Sequence, residues 1–196
     1  APPAPFNALY AFGDSLSDSG SLFAITGGGF PAAPYFNGRF SNGQVAVEYL
    51  AAGLLGANSP NFHDMAIGGA RTGLSGSADP QLGGFTTGMT SQFNRYKASL
   101  GPGGQADSGA LYYVMGGAND MRDAFAANDV AAGMSAAIGN LKAIVTGLHD
   151  LGATNFFLPN LPDLGLTPEA RAVPDVIPGV LTFSATVIAD QVHLRV

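Results

Sequence analysis

Three short apolar segments of this 196-residue chain each end in glycine and then in polar residues. The first covers residues 8–12 and leads into the turn 13–20, and the other two lie within residues 66–72 and 114–120. Short apolar runs bounded by glycine are typical of buried strands. Because the carboxyl ends of parallel strands meet at one edge of a sheet, turns that are far apart in sequence can converge there.

Helical segments separate the predicted strands. The spacing of apolar residues predicts amphipathic helices over residues 45–55, 86–100 and 129–151. Apolar runs at 111–115 and 155–159 predict further strands. Strands and helices that alternate in this way predict an α/β fold, in which both faces of a parallel sheet are covered.

Ser15 lies in the turn that follows the first predicted strand. At that edge of the sheet its hydroxyl could attack an ester carbonyl, provided that a base takes its proton and donors stabilise the oxyanion. Asp14 and Asp18 could instead form a carboxylate pair for acid–base or metal chemistry. Hydrogen bonds to the turn and to the helix after it explain these carboxylates better, since no cluster of His, Cys and carboxylates has metal-ligand spacing.

Ordered blocks of the chain resemble the GDSL or SGNH hydrolases. The blocks are Gly-Asp-Ser-Leu at residues 13–16, then Gly69, then Gly-Ala-Asn-Asp at 117–120. Residues 37–43 and 158–165 look like the secreted, lecithinase-related branch of that family. The resemblance implies a flavodoxin-like three-layer α/β/α sandwich, and a serine esterase or lipase that needs no cofactor.

The resemblance also implies a role for each matching residue. It makes Ser15 the nucleophile, and it places the oxyanion on the backbone N–H groups of Ser15 and Gly69 and the side-chain amide of Asn119. A fourth block falls on Asp190 and His193, with His193 as the base and Asp190 orienting it. The family usually has proline after this histidine, where the present chain has leucine, so an ordinary amphipathic helical turn stays an alternative for this segment.

Other interpretations of the site residues stay open at the level of sequence. Gly69 also fits a plain tight turn, and Asn119 also fits an N-cap for a helix over residues 120–127. His63 and His149 are interpreted as structural, His149 because a cation is favourable at the end of a helix. The loop over residues 22–34 and the aromatic residues that follow it could line an acyl-binding groove or could pin the loop to the core.

Composition narrows the possible partners and location. The net charge is −6, and Lys97 and Lys142 are the only lysines, which argues against nucleic acid and against a basic patch for anionic lipid. Cysteine is absent, so disulfide and zinc-thiolate chemistry are excluded. No run reaches the roughly 18 uninterrupted apolar residues of a membrane helix, so no stable membrane insertion is expected. Residues 1–5 resemble either the stub left by signal-peptide removal or a cloning boundary, and we expect a secreted or periplasmic bacterial protein.

We therefore expect one hydrolase domain over residues 1–196 that cleaves small-molecule or lipid esters. Two alternatives keep the same fold: a carbohydrate acetylesterase, and a catalytically silent binding or surface module. A nucleotide-binding protein is disfavoured, because the glycines at 27–29 and 68–69 form no phosphate-binding motif. The sequence does not determine the acyl-chain preference or the oligomeric state.

Overall fold

A computed structural model describes residues 5–168 of the chain. Its centre is a parallel sheet of four strands in the order β2-β1-β3-β4, the order of flavodoxin-like folds. The strands are β1 (Leu9–Gly13), β2 (Phe62–Asp64), β3 (Leu111–Met115) and β4 (Asn155–Phe157). The helices are α1 (Ser21–Ile25), α2 (Ala46–Leu55), α3 (Met89–Ser99), α4 (Ala118–Ala126) and α5 (Val130–Asp150).

The sheet lies between two layers of helices, as the alternation of strands and helices predicts. On one face Leu9 and Ala11 of β1 pack with Val47 and Ala51 of α2. On the other face a larger cluster joins Phe12 of β1 to apolar residues of α3, α4 and α5. Because successive residues of a strand point to opposite faces, both sides of β1 are buried, which explains its continuous apolar sequence.

Helix α5 has a buried stripe and an exposed face. By length and composition it is long and apolar enough to cross a membrane, and it is the one such helix among residues 5–168. This is weak support for a membrane span, because a core helix passes the same criteria. Ile138, Leu141, Ile144 and Leu148 are buried in the larger cluster, so in this fold the helix forms part of the core.

Two local predictions were wrong. Residues 22–34 were expected to be a loop, but α1 occupies the first part of that segment, because a buried carboxylate holds the N–H groups of its first turn. The second strand was placed at residues 66–67, whereas the structure has it at Phe62–Asp64. The apolar residues beyond the strand still run beside β1, since Ile67 N donates to Gly13 O at 3.2 Å.

Candidate active site

The three turns singled out from the sequence follow neighbouring strands at one edge of the sheet. Gly13, the last residue of β1, lies opposite Met115 of β3 on one side and accepts a hydrogen bond from Ile67 on the other. Ser15, Gly69 and Asn119 follow these positions within two to four residues. The structure therefore brings all three to the carboxyl edge of the sheet, where open α/β folds bind ligands.

Hydrogen bonds join the second turn to the other two. Asp18 of the first turn accepts a hydrogen bond from the Gly68 N–H at 2.7 Å. Asn119 of the third turn donates its side-chain amide to the Ala70 carbonyl at 2.8 Å. Gly69 thus lies between two residues that are tied to the first and third turns, and its position relative to both is set by these bonds.

Asp18 organises the first turn as well. Its carboxylate is buried and also accepts hydrogen bonds from the N–H groups of Gly20, Ser21 and Leu22. These groups are at the start of α1, where backbone donors have no partner within the helix. As the sequence predicted for Asp18, this carboxylate favours the helix that follows the turn.

Gly69 has a conformation that other residues rarely adopt. Its φ is +78°, and a Cβ added there would lie 2.2 Å from Ser77 Oγ. The Gly69 carbonyl accepts the Ser77 N–H at 3.0 Å, which closes the turn. The backbone N–H groups of Gly69 and of Ser15 donate to no acceptor among residues 5–168. Within that range, therefore, neither donor is occupied, and both could bind a ligand oxygen at this edge.

Asn119 lies in the first turn of α4, and the N-cap position belongs to Gly117. The interpretation of Asn119 as an N-cap is therefore wrong. A side-chain amide nitrogen carries two hydrogens, and one of them is used in the bond to Ala70. The second has no partner in the part of the chain that the structure describes.

A buried and a half-buried carboxylate accept hydrogen bonds in these turns. Asp14 accepts the Leu16 N–H at 3.0 Å, and burial, assisted by the charge of Asp120, raises the pKa of Asp14 to about 6. Asp120 accepts both the N–H and the hydroxyl of Thr72, at 2.9 and 2.6 Å. Burial also raises the pKa of Asp120. Asp14 thus acts as an acceptor within its turn, as the sequence predicted, and Asp120 joins the third turn to the second.

Sequence reasoning missed two supporting residues. Asp64 at the end of β2 accepts the N–H groups of Ser19 and Ala66 at 2.8 and 2.9 Å, and burial raises its pKa to about 7. Gln92 of α3 is fully buried and bonds to both backbone groups of Gly13, at 3.0 and 2.8 Å. A polar residue on the buried stripe of an amphipathic helix was the one signal for Gln92.

Neither described histidine lies in the three turns. His63 is within β2, and its ring stacks on Tyr10 with centroids 4.6 Å apart. His149 is at the carboxyl end of α5. Because this end of the helix leads into the start of β4, His149 lies at the opposite, amino edge of the sheet. Asp190 and His193 lie outside the described residues. Within residues 5–168, no three His, Cys, Asp or Glu side chains are grouped so that they could hold a metal ion.

Comparison with known proteins gives a consistent family assignment. The profile described as GDSL-like Lipase/Acylhydrolase matches residues 9–189. The chain is similar to the phosphatidylcholine-sterol acyltransferase of Aeromonas hydrophila, at 32% identity over 85% of this chain and 48% of the relative. It is similar to the secreted effector protein SseJ of Salmonella typhimurium, at 34% identity over 83% of this chain and 36% of the relative. It also resembles the thermolabile hemolysin of Vibrio parahaemolyticus, at 30% identity over 86% of this chain and 37% of the relative. The chain thus spans less than half the length of these relatives.

Proposed function

This chain belongs to the GDSL-like lipase/acylhydrolase family, and we propose that it hydrolyses carboxylic esters through an acyl-enzyme on Ser15. One observation carries the proposal. The N–H groups of Ser15 and Gly69 and one amide hydrogen of Asn119 lack acceptors within the described residues, in turns that hydrogen bonds hold together. Preorganised donors of this kind stabilise the negative oxygen that forms when a hydroxyl attacks a carbonyl.

The proposed reaction proceeds in two steps. Ser15 Oγ attacks the ester carbonyl carbon while its proton passes to a base, and the resulting oxyanion is bound by the three donors. When the tetrahedral intermediate collapses, the carbon–oxygen bond to the alcohol breaks and the alcohol takes the proton from the base. A water molecule then attacks the acyl-enzyme in the same way and releases the acid and free Ser15.

We assign the base to His193 and its orientation to Asp190. Support comes from the Asp-x-x-His spacing and from the placement of His63 within β2 and of His149 at the far edge of the sheet. Residues three apart on a helical turn share one face, so the carboxylate could hold one ring nitrogen while the other serves Ser15. We further propose a single domain over residues 1–196, because the family profile spans residues 9–189.

Names of the relatives support a lipid or other acyl ester as the substrate. They include an acyltransferase named for phosphatidylcholine and sterol, and a hemolysin. Another relative is named as a secreted effector, which supports an exported location for this chain. Nothing in the turns favours an acetylated carbohydrate over such an ester.

Labelling with a fluorophosphonate probe tests the proposal. The full chain is incubated with the probe and assayed separately with p-nitrophenyl acetate, alongside Ser15→Ala and the control Ser17→Ala. Ser17 is in the same turn, but its buried hydroxyl donates to the Tyr113 hydroxyl at 3.4 Å. We expect Ser15→Ala to lose both labelling and hydrolysis while Ser17→Ala keeps both. Equal labelling of Ser15→Ala and the unmodified chain would refute the mechanism.

A further inference from the structure

The segment of residues 26–43, here named the aromatic loop, presents aromatic rings to solvent. Phe30 is 50% exposed, Tyr35 is 47% exposed and Phe36 is 40% exposed. Single exposed apolar side chains are common on protein surfaces, but contiguous apolar patches mark sites of interaction. Three large exposed rings within seven residues therefore indicate a site of interaction.

Two of the exposed rings form a patch with Phe40 that reaches the candidate active site. The ring centroids of Phe30 and Tyr35 lie 5.5 and 5.7 Å from that of Phe40. Phe40 in turn packs against Gly68, where an added Cβ would lie 2.2 Å from its ring. Gly68 directly precedes Gly69, so the patch begins beside the turn that supplies a proposed oxyanion donor.

Hydrogen bonds fix the backbone that carries these rings. Thr26 Oγ1 accepts the Phe30 N–H at 3.0 Å, and the Phe36 N–H donates to the Ser41 carbonyl at 2.8 Å. Arg39 is held by a 2.7 Å ion pair with Glu48 at the start of α2. The rings are thus exposed on an ordered loop, and little conformational entropy would be lost when a partner covers them.

Charge around the aromatic loop indicates the kind of partner. Between residues 19 and 47 the single charged residue is Arg39, which is already paired with Glu48. The whole chain carries a net charge of −6, which disfavours an anionic surface. Aromatic rings partition into the headgroup region of a bilayer without any need for cations.

We propose that the aromatic loop docks onto a zwitterionic lipid surface and so brings Ser15 to lipid esters. This inference rests on the proposed function and deepens it, since it names lipid assembled at a surface as the source of substrate. The patch lies beside the turns, so contact with the surface would place the carboxyl edge of the sheet close to the headgroups.

Binding is tested apart from hydrolysis in the full chain carrying Ser15→Ala. Co-sedimentation with phosphatidylcholine vesicles is measured for this protein and for versions that add Phe30→Ser with Tyr35→Ser, Tyr35→Ser alone, or Tyr49→Ser. Tyr49 is a matched control, because it is a 63% exposed aromatic residue on α2, outside the aromatic loop. We expect the double substitution to weaken vesicle binding by roughly tenfold or more, and Tyr49→Ser to leave it unchanged.

Several outcomes would overturn the inference. The inference fails if the protein does not sediment with phosphatidylcholine vesicles or binds them only when anionic lipid is added. It also fails if the double-substituted protein binds as well as the Ser15→Ala protein. Self-association that depends on Phe30 and Tyr35, without vesicle binding, would assign the patch to a second copy of the chain instead. Circular dichroism checks that each version is folded. If the double substitution unfolds the protein, vesicle binding by Tyr35→Ser alone is compared with that of the Ser15→Ala protein instead. Failure of Ser15 to react with a fluorophosphonate would contradict the proposed function without altering these binding results.

Discussion

Two regions meet at Gly68 in the candidate active site, and different interactions hold them. In the turns, buried carboxylates accept backbone N–H groups, as Asp18 does from four residues of two turns. In the aromatic loop, the half-exposed rings of Phe30 and Tyr35 pack at steep angles against Phe40, and the hydrogen bonds lie near the surface. Hydrogen bonds to a charged group are strong and directional, whereas aromatic pairs are held by weaker contacts that several geometries satisfy. The turns are therefore suited to position reacting atoms, and the loop is suited to meet a variable surface.

Removing the Asp18 carboxylate is the strongest test of this contrast. Asp18→Ala leaves the N–H groups of Gly20, Ser21, Leu22 and Gly68 without their acceptor. We expect the free energy of unfolding to fall by about 3 to 5 kcal/mol. Urea denaturation measures this loss. In the matched control Asp123→Ala, an exposed carboxylate that pairs with Arg71 is removed, and the expected loss is under about 1 kcal/mol. Equal losses in the two proteins would contradict the central role of Asp18.

Asn119→Ala tests whether the turns position a reacting atom. The substitution removes the proposed oxyanion donor, so kcat for p-nitrophenyl acetate should fall by a factor on the order of 100 to 1000, with a smaller change in KM. Asn155→Ala is the control, because that amide also donates to backbone carbonyls, but from β4 toward Ser108 and Ala110. A kcat that is unchanged in Asn119→Ala would remove this residue from the proposed mechanism.

The parts of this site that the sequence predicted are those with local causes. Glycine at a strand end and a periodic apolar stripe mark β1, β3, α2 and α5 because each depends on neighbours in the chain. The turns at Ser15, Gly69 and Asn119 lie at one sheet edge, as parallel strands require. The roles of Asp190 and His193 stay predictions, since both residues lie outside the described part of the chain.

What the sequence did not predict depends on contacts between distant residues. The sequence predicted that Asp18 favours a helix after the turn but not that α1 extends to Ile25, since Asp18 bonds both to its first turn and to Gly68, fifty residues further on. Gln92 supports β1 across 79 residues, and no local pattern pairs it with Gly13. In sequence Asp64 is an ordinary acid that precedes the strand expected at 66–67, and only the fold brings it to the N–H group of Ser19. Such contacts are set by tertiary packing, which overrides local preference.

The pH dependence of the free energy of unfolding tests whether burial raises the pKa of a carboxylate, and the expected effect is smaller than that of Asp18→Ala. Burial raises the pKa of folded Asp64 to about 7 from an ordinary value of 3.8, so the folded protein holds this proton more tightly than the unfolded chain. The resulting stabilisation is present below pH 3.8 and is lost as the pH rises through about 7. Asn cannot titrate, so between pH 4 and pH 8 the stability of Asp64→Asn should gain roughly 2 to 4 kcal/mol relative to the unmodified protein.

Urea denaturation at several pH values measures that change. Asp64→Asn also loses one of two acceptors, but this cost is the same at every pH and leaves the slope unaffected. The control Asp123→Asn removes an exposed carboxylate that pairs with Arg71, and because solvent screens this pair, its pH slope should differ from that of the unmodified protein far less than the slope of Asp64→Asn does. A slope that is identical in Asp64→Asn and the unmodified protein would show that Asp64 does not titrate in this range.

The smallest expected loss of stability comes from substitutions in the aromatic loop. It distinguishes rings that dock onto a partner from rings that only stabilise the fold. If Phe30 and Tyr35 served to pin the loop to the core, Phe30→Ser with Tyr35→Ser would unfold the protein as readily as Asp18→Ala. Both rings are about half exposed and contact Phe40 alone among the aromatic residues described, so we expect a loss of about 1 kcal/mol in urea denaturation. Phe40→Ser should cost more, because Phe40 contacts both rings and also packs on Gly68. A larger loss from the double substitution than from Phe40→Ser would mean that the exposed rings stabilise the fold, and the contrast between the two regions would then disappear.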